Sequence, residues 1–242
     1  MATEVIGHRG AAHYAPENTV VSVMTALFMG ADGVEIDVRM TLDNRVVVIH
    51  DPDTLRTTGH ELKVAESSYE EISRLEAGNS RDKKFAGEKI PLFDDLACAV
   101  SRGKKFFVEV KCGPEALPQI IETIRKLKKE EDTFIISFSL EVVAAAKQIA
   151  PEIGALLIVD KFDHVLSKEQ LLKIVIQNSL DGLDTDYKIA GKDLIDAVHA
   201  AGKKIYVWTV DSAEEAVKLA KNGIDGIASN KPDVIIRAVS GL

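Results

Sequence analysis

The sequence predicts an α/β fold of the (β/α)8 type, the TIM barrel. Short apolar runs alternate with amphipathic stretches of helical period along most of the chain. Such alternation indicates parallel strands joined by right-handed helical crossovers. We count eight strands that are each followed by a helix, and eight is the number that closes such a barrel. The length of 242 residues, 46% of them hydrophobic, suits one barrel domain of about 250 residues.

The first three strand–helix units occupy the first half of the chain. Their strands are predicted at 5–6, 34–38 and 106–110. The first helix begins at Pro16-Glu17-Asn18-Thr19, with Asn18 or Thr19 as N-cap, and ends at Gly30. The second covers 91–102 and ends before Gly103. The third covers 116–129 and has basic residues in its last turn, where they stabilise the helix dipole.

The second half of the chain repeats the same unit five times. Its strands are predicted at 134–138, 153–159, 182–186, 205–209 and 226–229. Its helices are predicted at 140–149, 168–178, 192–201, 213–221 and 233–239, and Gly202 and Gly223 end two of them.

A β-hairpin is predicted directly after the second strand. The run 46–49 follows 34–38 after only seven residues, whereas parallel neighbours need a crossover of about a dozen or more. An antiparallel hairpin that turns at Asp43-Asn44 is therefore expected. With those two as the turn residues, Asp37 would lie opposite His50 in the ladder.

The segment 51–90 interrupts the strand–helix rhythm. It is polar, and its one helical stretch is predicted at 68–76. We expect a single domain, residues 1–242, in which 51–90 is a small insertion over the barrel mouth.

Composition and charge limit the partners and the location. A formal net charge of −8 makes nucleic acid and anionic membranes poor partners, so any phosphate must be met by a local cation cluster or a metal. Cys98 and Cys112 lie outside any CxxC pattern and are predicted to be buried structural thiols. There is no signal-peptide pattern and no apolar run of about 20 residues, so a cytoplasmic protein without a membrane span is expected. The oligomeric state is left open.

Three carboxylates at strand ends predict a metal site. Glu35 and Asp37 are two residues apart on one strand and therefore face the same way, and Glu109 lies near the end of another strand. Adjacent carboxylates repel unless a cation neutralises them. Three oxygen ligands favour one hard divalent ion, Mg²⁺ or Ca²⁺, over Zn²⁺. The alternative is that Arg9 and Lys111 pair with these carboxylates without a metal.

Two histidines at other strand ends predict proton transfer. His8 and His50 titrate near neutrality, so one could accept a proton from a nucleophile while the other protonates a leaving alkoxide. Arg9 and Lys111 are suited to contact phosphate oxygens as well as to balance the carboxylates. This inventory is typical of metal-assisted phosphoryl chemistry.

An ordered set of motifs extends from about Val5 to Pro232, namely His8-Arg9-Gly10, Ala15-Pro16-Glu17-Asn18-Thr19, Gly33-Val34-Glu35-Ile36-Asp37-Val38, His50-Asp51, Leu55-Arg56-Thr57-Thr58-Gly59, Gly87-Glu88-Lys89-Ile90-Pro91, Glu109-Val110-Lys111, Ser137-Phe138 and Trp208-Thr209-Val210. Taken together, these motifs resemble the glycerophosphodiester phosphodiesterase family. The resemblance implies metal ligands at Glu35, Asp37 and Glu109, acid–base catalysis by His8 and His50, and phosphate contacts from Arg9 and Lys111. It also implies that Trp208 lines the substrate pocket, although packing inside the barrel is the alternative for that residue.

The implied reaction is hydrolysis of a glycerophosphodiester to glycerol 3-phosphate and an alcohol, with the identity of the alcohol left open. One departure is Ser229-Asn230, where the family usually has Thr-Asp, so a carboxylate is missing near the last strand. Two other functions compete. A phospholipase acting on lipid headgroups should have an apolar rim, yet the insertion is heavily charged. An inactive phosphate-binding barrel should have lost a histidine or a carboxylate, yet both sets are whole.

The nucleophile is expected to be water or the glycerol hydroxyl next to the phosphoester. No serine, cysteine or threonine lies in a nucleophile motif beside the two histidines, which disfavours a covalent enzyme intermediate. Attack by the neighbouring hydroxyl avoids the entropic cost of recruiting a second reactant. We therefore expect a cyclic phosphate of glycerol that water then opens.

Overall fold

Eight parallel strands close into a barrel in the computed structural model, which describes residues 2–78, 82–161 and 167–242. The strands are β1 Glu4–Gly7, β2 Gly33–Met40, β4 Lys105–Val110, β5 Thr133–Ser137, β6 Gly154–Val159, β7 Gly182–Asp186, β8 Lys204–Trp208 and β9 Gly226–Ser229. They are neighbours around the barrel in this order, and β9 pairs again with β1. The predicted fold class is confirmed.

Helices follow the barrel strands and cover its outside. They are α1 Val20–Phe28, α4 Phe93–Ala99, α5 Leu117–Leu127, α6 Leu140–Ile149, α7 Lys168–Gln177, α8 Lys192–Ala200, α9 Ala213–Lys221 and α10 Pro232–Val239. Thr19 is the N-cap of α1, and its hydroxyl accepts a hydrogen bond from the backbone of Ser22. Helix α5 is shorter than predicted, since a 3₁₀ turn precedes it and Lys128 ends it in the left-handed conformation at φ 55°.

The predicted hairpin is present, but its register was wrong by one residue. Strand β3, Val46–Val48, runs antiparallel to β2, with Val38 opposite Val48 and Met40 opposite Val46. The loop has three residues instead of two, because Asn44 takes a left-handed conformation at φ 56° that closes a three-residue turn. Ile49, and not His50, therefore donates its backbone N–H to Asp37.

The insertion packs on the outer strand of this hairpin. Between β3 and α4 lie two short helices, α2 Leu55–Thr58 and α3 Tyr69–Ser73, the second of which begins at a capping box formed by Ser68. Val47 and Ile49 form a buried apolar cluster with residues of the insertion, namely Val64, Ile72, Ala77 and Ile90. The charged side chains of the insertion are exposed at Lys63, Glu66, Glu70, Glu71, Asp82, Lys83 and Lys84, whereas Arg81 lies outside the described residues.

The inside of the barrel is closed at its lower end by aromatic and aliphatic side chains. Phe107 packs against Phe134 and Tyr206, with ring centroids 5.0 and 4.8 Å apart. Ile6 and Leu156 complete this layer. Alternate residues of each strand point inward, so the next inward positions towards the carboxyl ends face an open cavity instead of a packed core. The polar strand-end residues fall on these upper positions.

The structure corrects the interpretation of the cysteines. Cys98 is exposed and Cys112 is half-buried, so neither is the buried structural thiol that we expected, and both are free. Within residues 2–78, 82–161 and 167–242, no helix is both long and apolar enough to cross a membrane.

Candidate active site

A cavity of about 190 Å³ opens at the carboxyl ends of the barrel strands. All of the predicted site residues except Asp37 line it, and Asp37 lies fully buried behind its wall. The lining residues are His8, Arg9, Glu35, His50, Glu109, Lys111, Ile136, Phe138, Ile158, Asp184, Trp208 and Ala228. One half of the wall is therefore charged and the other half is mainly apolar.

The three carboxylates meet because of strand register. Strands β2 and β4 are parallel neighbours in which Asp37 pairs directly with Glu109, and Glu35 lies one inward position below Asp37. One oxygen from each carboxylate lies within 4.8 Å of the others. Glu35 is 4% exposed and Asp37 is 0% exposed, so this is a largely dehydrated cluster.

Two cations neutralise the cluster only in part. Arg9 Nε lies 3.1 Å from Asp37 Oδ2, and Lys111 Nζ lies 3.2 Å from Asp37 Oδ1 and 2.6 Å from Glu109 Oε1. Arg9 also binds Glu17, through Nη1 at 2.9 Å. Among the described residues, the carboxylate of Glu35 accepts a hydrogen bond only from the backbone N–H of Arg9, at 2.9 Å. Both cations are thus shared between carboxylates. Pairing with Arg9 and Lys111 in the absence of a metal therefore accounts for the negative charge of Asp37 better than for that of Glu35.

The ionisation of the cluster indicates room for one more positive charge. Burial would raise the pKa of Asp37, but Arg9 and Lys111 lower it to about 2. Burial, followed by repulsion from Asp37 and Glu109, raises the pKa of Glu35 well above its usual range. Burial and Asp37 raise the pKa of Glu109 to about 7. Glu35 Oε1 is buried without a hydrogen bond, and Asp37 Oδ1 has only the Lys111 ammonium beside it, so the oxygen donor set fits a hard divalent ion.

His8 is oriented by an amide that is itself oriented by a carboxylate. Asn230 Nδ2 donates to Asp211 Oδ2 at 2.9 Å, and a carboxylate only accepts, so Asn230 Oδ1 must face His8. The distance from His8 Nδ1 to this oxygen is 2.9 Å. Nδ1 therefore carries the proton, and Nε2, 3.9 Å from Glu35 Oε2, is left with its lone pair. Burial and Arg9 lower the pKa of His8 to about 4.

The turn that carries His8 and Arg9 depends on glycine. Arg9 has φ 51° and Gly10 has φ 79°, a region in which a residue with a side chain is strained. A Cβ at Gly10 would lie 2.4 Å from the backbone carbon of Ser22, at the start of α1. This close approach places the backbone N–H of Arg9 on Glu35.

His50 is oriented by a chain of ion pairs that reaches into the insertion. Its Nδ1 lies 2.7 Å from Asp51 Oδ1, and Asp51 Oδ2 accepts from Arg56 Nε at 2.6 Å. Arg56 also donates two hydrogen bonds of 2.7 Å to Glu17, the carboxylate that binds Arg9. Burial would raise the pKa of Asp51, but Arg56 and His50 hold it below its usual range, so Asp51 is ionised and accepts the Nδ1 proton. The backbone carbonyl of His50 accepts from Arg39 at 2.9 Å.

Several residues of the site were not assigned a role from the sequence. Asn18, considered only as an N-cap, donates to Asp37 Oδ2 at 2.8 Å and accepts from its backbone N–H. Glu17 links Arg9 to Arg56, although it was only part of a matching motif. Asp184 falls inside the strand predicted at 182–186, with no role assigned to it. A carboxylate in the middle of a strand expected to be buried is the signal that could have indicated it.

The mouth of the cavity is aromatic. The rings of Phe138 and Trp208 meet edge to face at 5.8 Å between centroids, and Phe138 is 50% exposed. Trp208 donates its indole N–H to the backbone carbonyl of Asp184 at 3.4 Å. Trp208 thus lies on the cavity wall, and its contact with substrate stays a prediction.

Comparison with known proteins gives one consistent result. The model of the glycerophosphoryl diester phosphodiesterase family matches residues 8–234. A glycerophosphodiester phosphodiesterase from Caldanaerobacter subterraneus is 34% identical over 251 aligned positions, which cover 99% of this chain and 98% of that protein. The structure of an Oleispira antarctica phosphodiesterase in complex with its product sn-glycerol-3-phosphate superposes with a TM-score of 0.90 at 26% identity, and covers 99% of this chain and 97% of that one. A glycerophosphodiester phosphodiesterase structure from Agrobacterium tumefaciens gives 0.82 at 28%, with coverage of 97% and 99%.

Proposed function

The chain belongs to the glycerophosphoryl diester phosphodiesterase family and is an enzyme of that class, and from this premise we propose that it uses one divalent cation and two histidines to release glycerol 3-phosphate and an alcohol. The observation that carries the proposal is the convergence on one cavity of three carboxylates, two oriented imidazoles and two cations. The Oleispira antarctica relative binds sn-glycerol-3-phosphate as its product, which supports the same product here.

Glu35, Asp37 and Glu109 would hold the cation. When bound, Mg²⁺ or Ca²⁺ supplies Lewis-acid polarisation of the phosphate and stabilises the negative charge that develops there. Arg9 and Lys111 line the cavity beside these carboxylates, so phosphate oxygens placed there would receive their hydrogen bonds. Asn18 keeps the Asp37 carboxylate in place for this role.

The two histidines move the protons. His8 Nε2 accepts the proton of the glycerol hydroxyl next to the phosphoester while that oxygen forms a bond to phosphorus. The bond from phosphorus to the headgroup oxygen breaks, and His50 donates a proton to the departing oxygen. In the second step His50 takes a proton from water as the water oxygen bonds to phosphorus, the bond from phosphorus to the glycerol 2-oxygen breaks, and His8 returns its proton to that oxygen. The products are glycerol 3-phosphate and the alcohol, so atoms and protons balance.

The assignment of His8 as the first base rests on its partner. An amide oxygen stabilises imidazolium less than a carboxylate does, and His8 faces Asn230 whereas His50 faces the ionised Asp51. His8 is thus the histidine that starts neutral. Burial also lowers the pKa of His50, but Asp37 and Asp51 oppose this shift, so His50 is the one better able to carry a proton to the leaving group.

A substrate without the attacking hydroxyl tests this mechanism. Replacing the glycerol 2-hydroxyl by hydrogen should lower the rate of headgroup release by at least about 10³-fold, because the advantage of an intramolecular nucleophile is lost. Headgroup release is measured for both substrates under the same conditions. If the 2-deoxy compound reacts as fast as the parent, water attacks directly and the cyclic intermediate is excluded.

The pH dependence of kcat/KM should depend on which side chain is hydrogen-bonded to His8 Nδ1. As a base, His8 must be neutral, and its pKa of about 4 places the acid limb of the profile below the ordinary histidine range. Bound cation lowers the pKa of His8 in the same direction. Asn230→Asp gives the imidazole a carboxylate partner, so the acid limb should move to higher pH with the protein still active. A profile that does not change in this variant would contradict the assignment.

The insertion gives the phospholipase alternative little support. The mouth has one exposed aromatic ring, Phe138, but the insertion exposes many charged side chains instead of an extended apolar surface. A panel of water-soluble glycerophosphodiesters and vesicles of intact phospholipid, each assayed with Mg²⁺ and with Ca²⁺, separates the two functions. We expect turnover of the soluble diesters, whereas turnover of the vesicles alone would favour the phospholipase.

A further inference from the structure

Asp184 is a buried carboxyl in the cavity for which the mechanism above has no use. It lies on β7 and is 5% exposed. Its Oδ1 is buried without a hydrogen bond, and within the described residues no ion pair reaches its carboxyl group. A buried polar group without a partner is costly, so its persistence indicates a partner that arrives with the ligand.

The polar side chains on the strand β8 beside Asp184 are committed elsewhere. Across the sheet, Asp184 pairs with Ile158 on β6 and with Tyr206 on β8. The Tyr206 hydroxyl donates to Glu4 Oε2 at 2.8 Å, near the opposite end of the barrel. The Trp208 indole reaches only the backbone carbonyl of Asp184. The carboxyl group of Asp184 is therefore the free polar group on the otherwise apolar half of the described cavity wall.

Asp184 marks the closed end of the cavity. It also lines a recess of about 10 Å³, large enough for about one water molecule, together with Ile6, Glu35, Phe107, Tyr206 and Ala228. The open end lies at the exposed Phe138. In the proposed two-step reaction the headgroup alcohol must leave while the glycerol phosphate stays. The headgroup should therefore face the open end, and the glycerol should face Asp184.

We propose that Asp184 binds the free terminal hydroxyl of the glycerol moiety, the one on the carbon farthest from the phosphate. This inference rests on the proposed function and names the group that selects glycerol within it. A protonated carboxyl both donates and accepts a hydrogen bond, as a hydroxyl does, so the two groups satisfy each other in an apolar pocket. Burial, with repulsion from Glu109, raises the pKa of Asp184 well above its usual range, which agrees with the protonated form.

The test crosses two Asp184 variants with two substrates in the Mg²⁺-loaded protein. The substrates are glycerophosphoethanolamine and its analogue with hydrogen in place of the terminal hydroxyl. Asp184→Leu removes the hydrogen-bonding group, whereas Asp184→Asn keeps a neutral donor and acceptor. The matched control is Asp186→Asn, because Asp186 is two residues farther along β7, outside the cavity lining, with its carboxylate on the backbone N–H of Lys188.

We expect the wild-type protein to lose about 10- to 100-fold in kcat/KM when the hydroxyl is missing, the effect of leaving a buried polar group unpaired. Asp184→Leu should lose a similar factor on the parent substrate and little more on the analogue. Asp184→Asn should retain at least about a fifth of the wild-type value on the parent, since its hydrogen bonds are conserved. Asp186→Asn should behave as the wild type. The affinity for sn-glycerol 3-phosphate, measured by calorimetry, should likewise be lower in Asp184→Leu than in Asp184→Asn, Asp186→Asn and the wild type.

Two results would overturn the inference. Equal losses of Asp184→Leu on both substrates would mean that Asp184 and the hydroxyl do not interact. A loss in Asp184→Asn as large as in Asp184→Leu, confined to substrates with a cationic headgroup, would mean that the carboxylate binds that cation. The comparison of the two substrates in the wild-type protein does not require any variant to fold. Absence of any wild-type turnover would instead refute the proposed function.

Discussion

Replacing either His8 or His50 by alanine should lower kcat by about 10²- to 10⁴-fold, the usual contribution of a positioned proton-transfer group. Each ring is fixed through Nδ1, by Asn230 for His8 and by Asp51 for His50. Each variant therefore loses an imidazole whose Nε2 is oriented to transfer one proton. KM should change much less than kcat, since neither imidazole is proposed to carry the main binding energy. Steady-state kinetics on a glycerophosphodiester measures both constants.

His60→Ala is the matched control for these variants. His60 is exposed in the insertion. It should keep the wild-type kcat, and all three variants should show thermal unfolding near that of the wild type. The acid–base assignment fails if His8→Ala and His50→Ala both turn over at near wild-type rates.

Glu109→Gln should abolish most activity by weakening the metal site. The change removes one of three carboxylates within 4.8 Å of one another and replaces the charged partner of Lys111, at 2.6 Å, by a neutral amide. A metal's stabilisation of charge in the transition state amounts to several kcal/mol, and a tenfold change in rate corresponds to about 1.4 kcal/mol, so a loss of about 10³-fold is expected. Higher Mg²⁺ or Ca²⁺ concentrations should restore part of the rate, because affinity is weakened rather than removed.

The control for this change is Glu131→Gln, which alters an exposed glutamate before β5. It should leave both the rate and the metal requirement as in the wild type. Full activity of Glu109→Gln at the metal concentration that half-saturates the wild type would exclude Glu109 as a ligand.

The parts of the site that depend on strand alternation could be predicted from the sequence. Glu35 and Asp37 had to share a face because successive strand residues alternate, and parallel register then placed Glu109 beside Asp37. The position of His50 was harder, since it depends on a loop length. Asn44 adopts a left-handed conformation, and this one torsion angle shifts the hairpin by a residue. His50 still lines the cavity, because its backbone carbonyl is held by Arg39.

The interactions that depend on distant segments could not be predicted. Asn230 appeared from the sequence as a lost carboxylate. In the structure, Asp211 supplies a carboxylate that orients the Asn230 amide, and the amide orients His8. This link joins the ends of β8 and β9 to the end of β1, segments whose approach only the closed barrel brings about. The same holds for Glu17, whose partner Arg56 lies in the insertion.

The measurement that tests the account most directly is metal content and product release in the same sample. Wild-type protein is stripped by exhaustive chelation, divalent ion is added back in steps, and bound metal per chain is determined together with the release of sn-glycerol 3-phosphate from a glycerophosphodiester. The account predicts no turnover in the stripped protein and a rate that rises in proportion to bound Mg²⁺ or Ca²⁺ until one ion per chain is reached. Full release of glycerol 3-phosphate by the metal-free protein would contradict it.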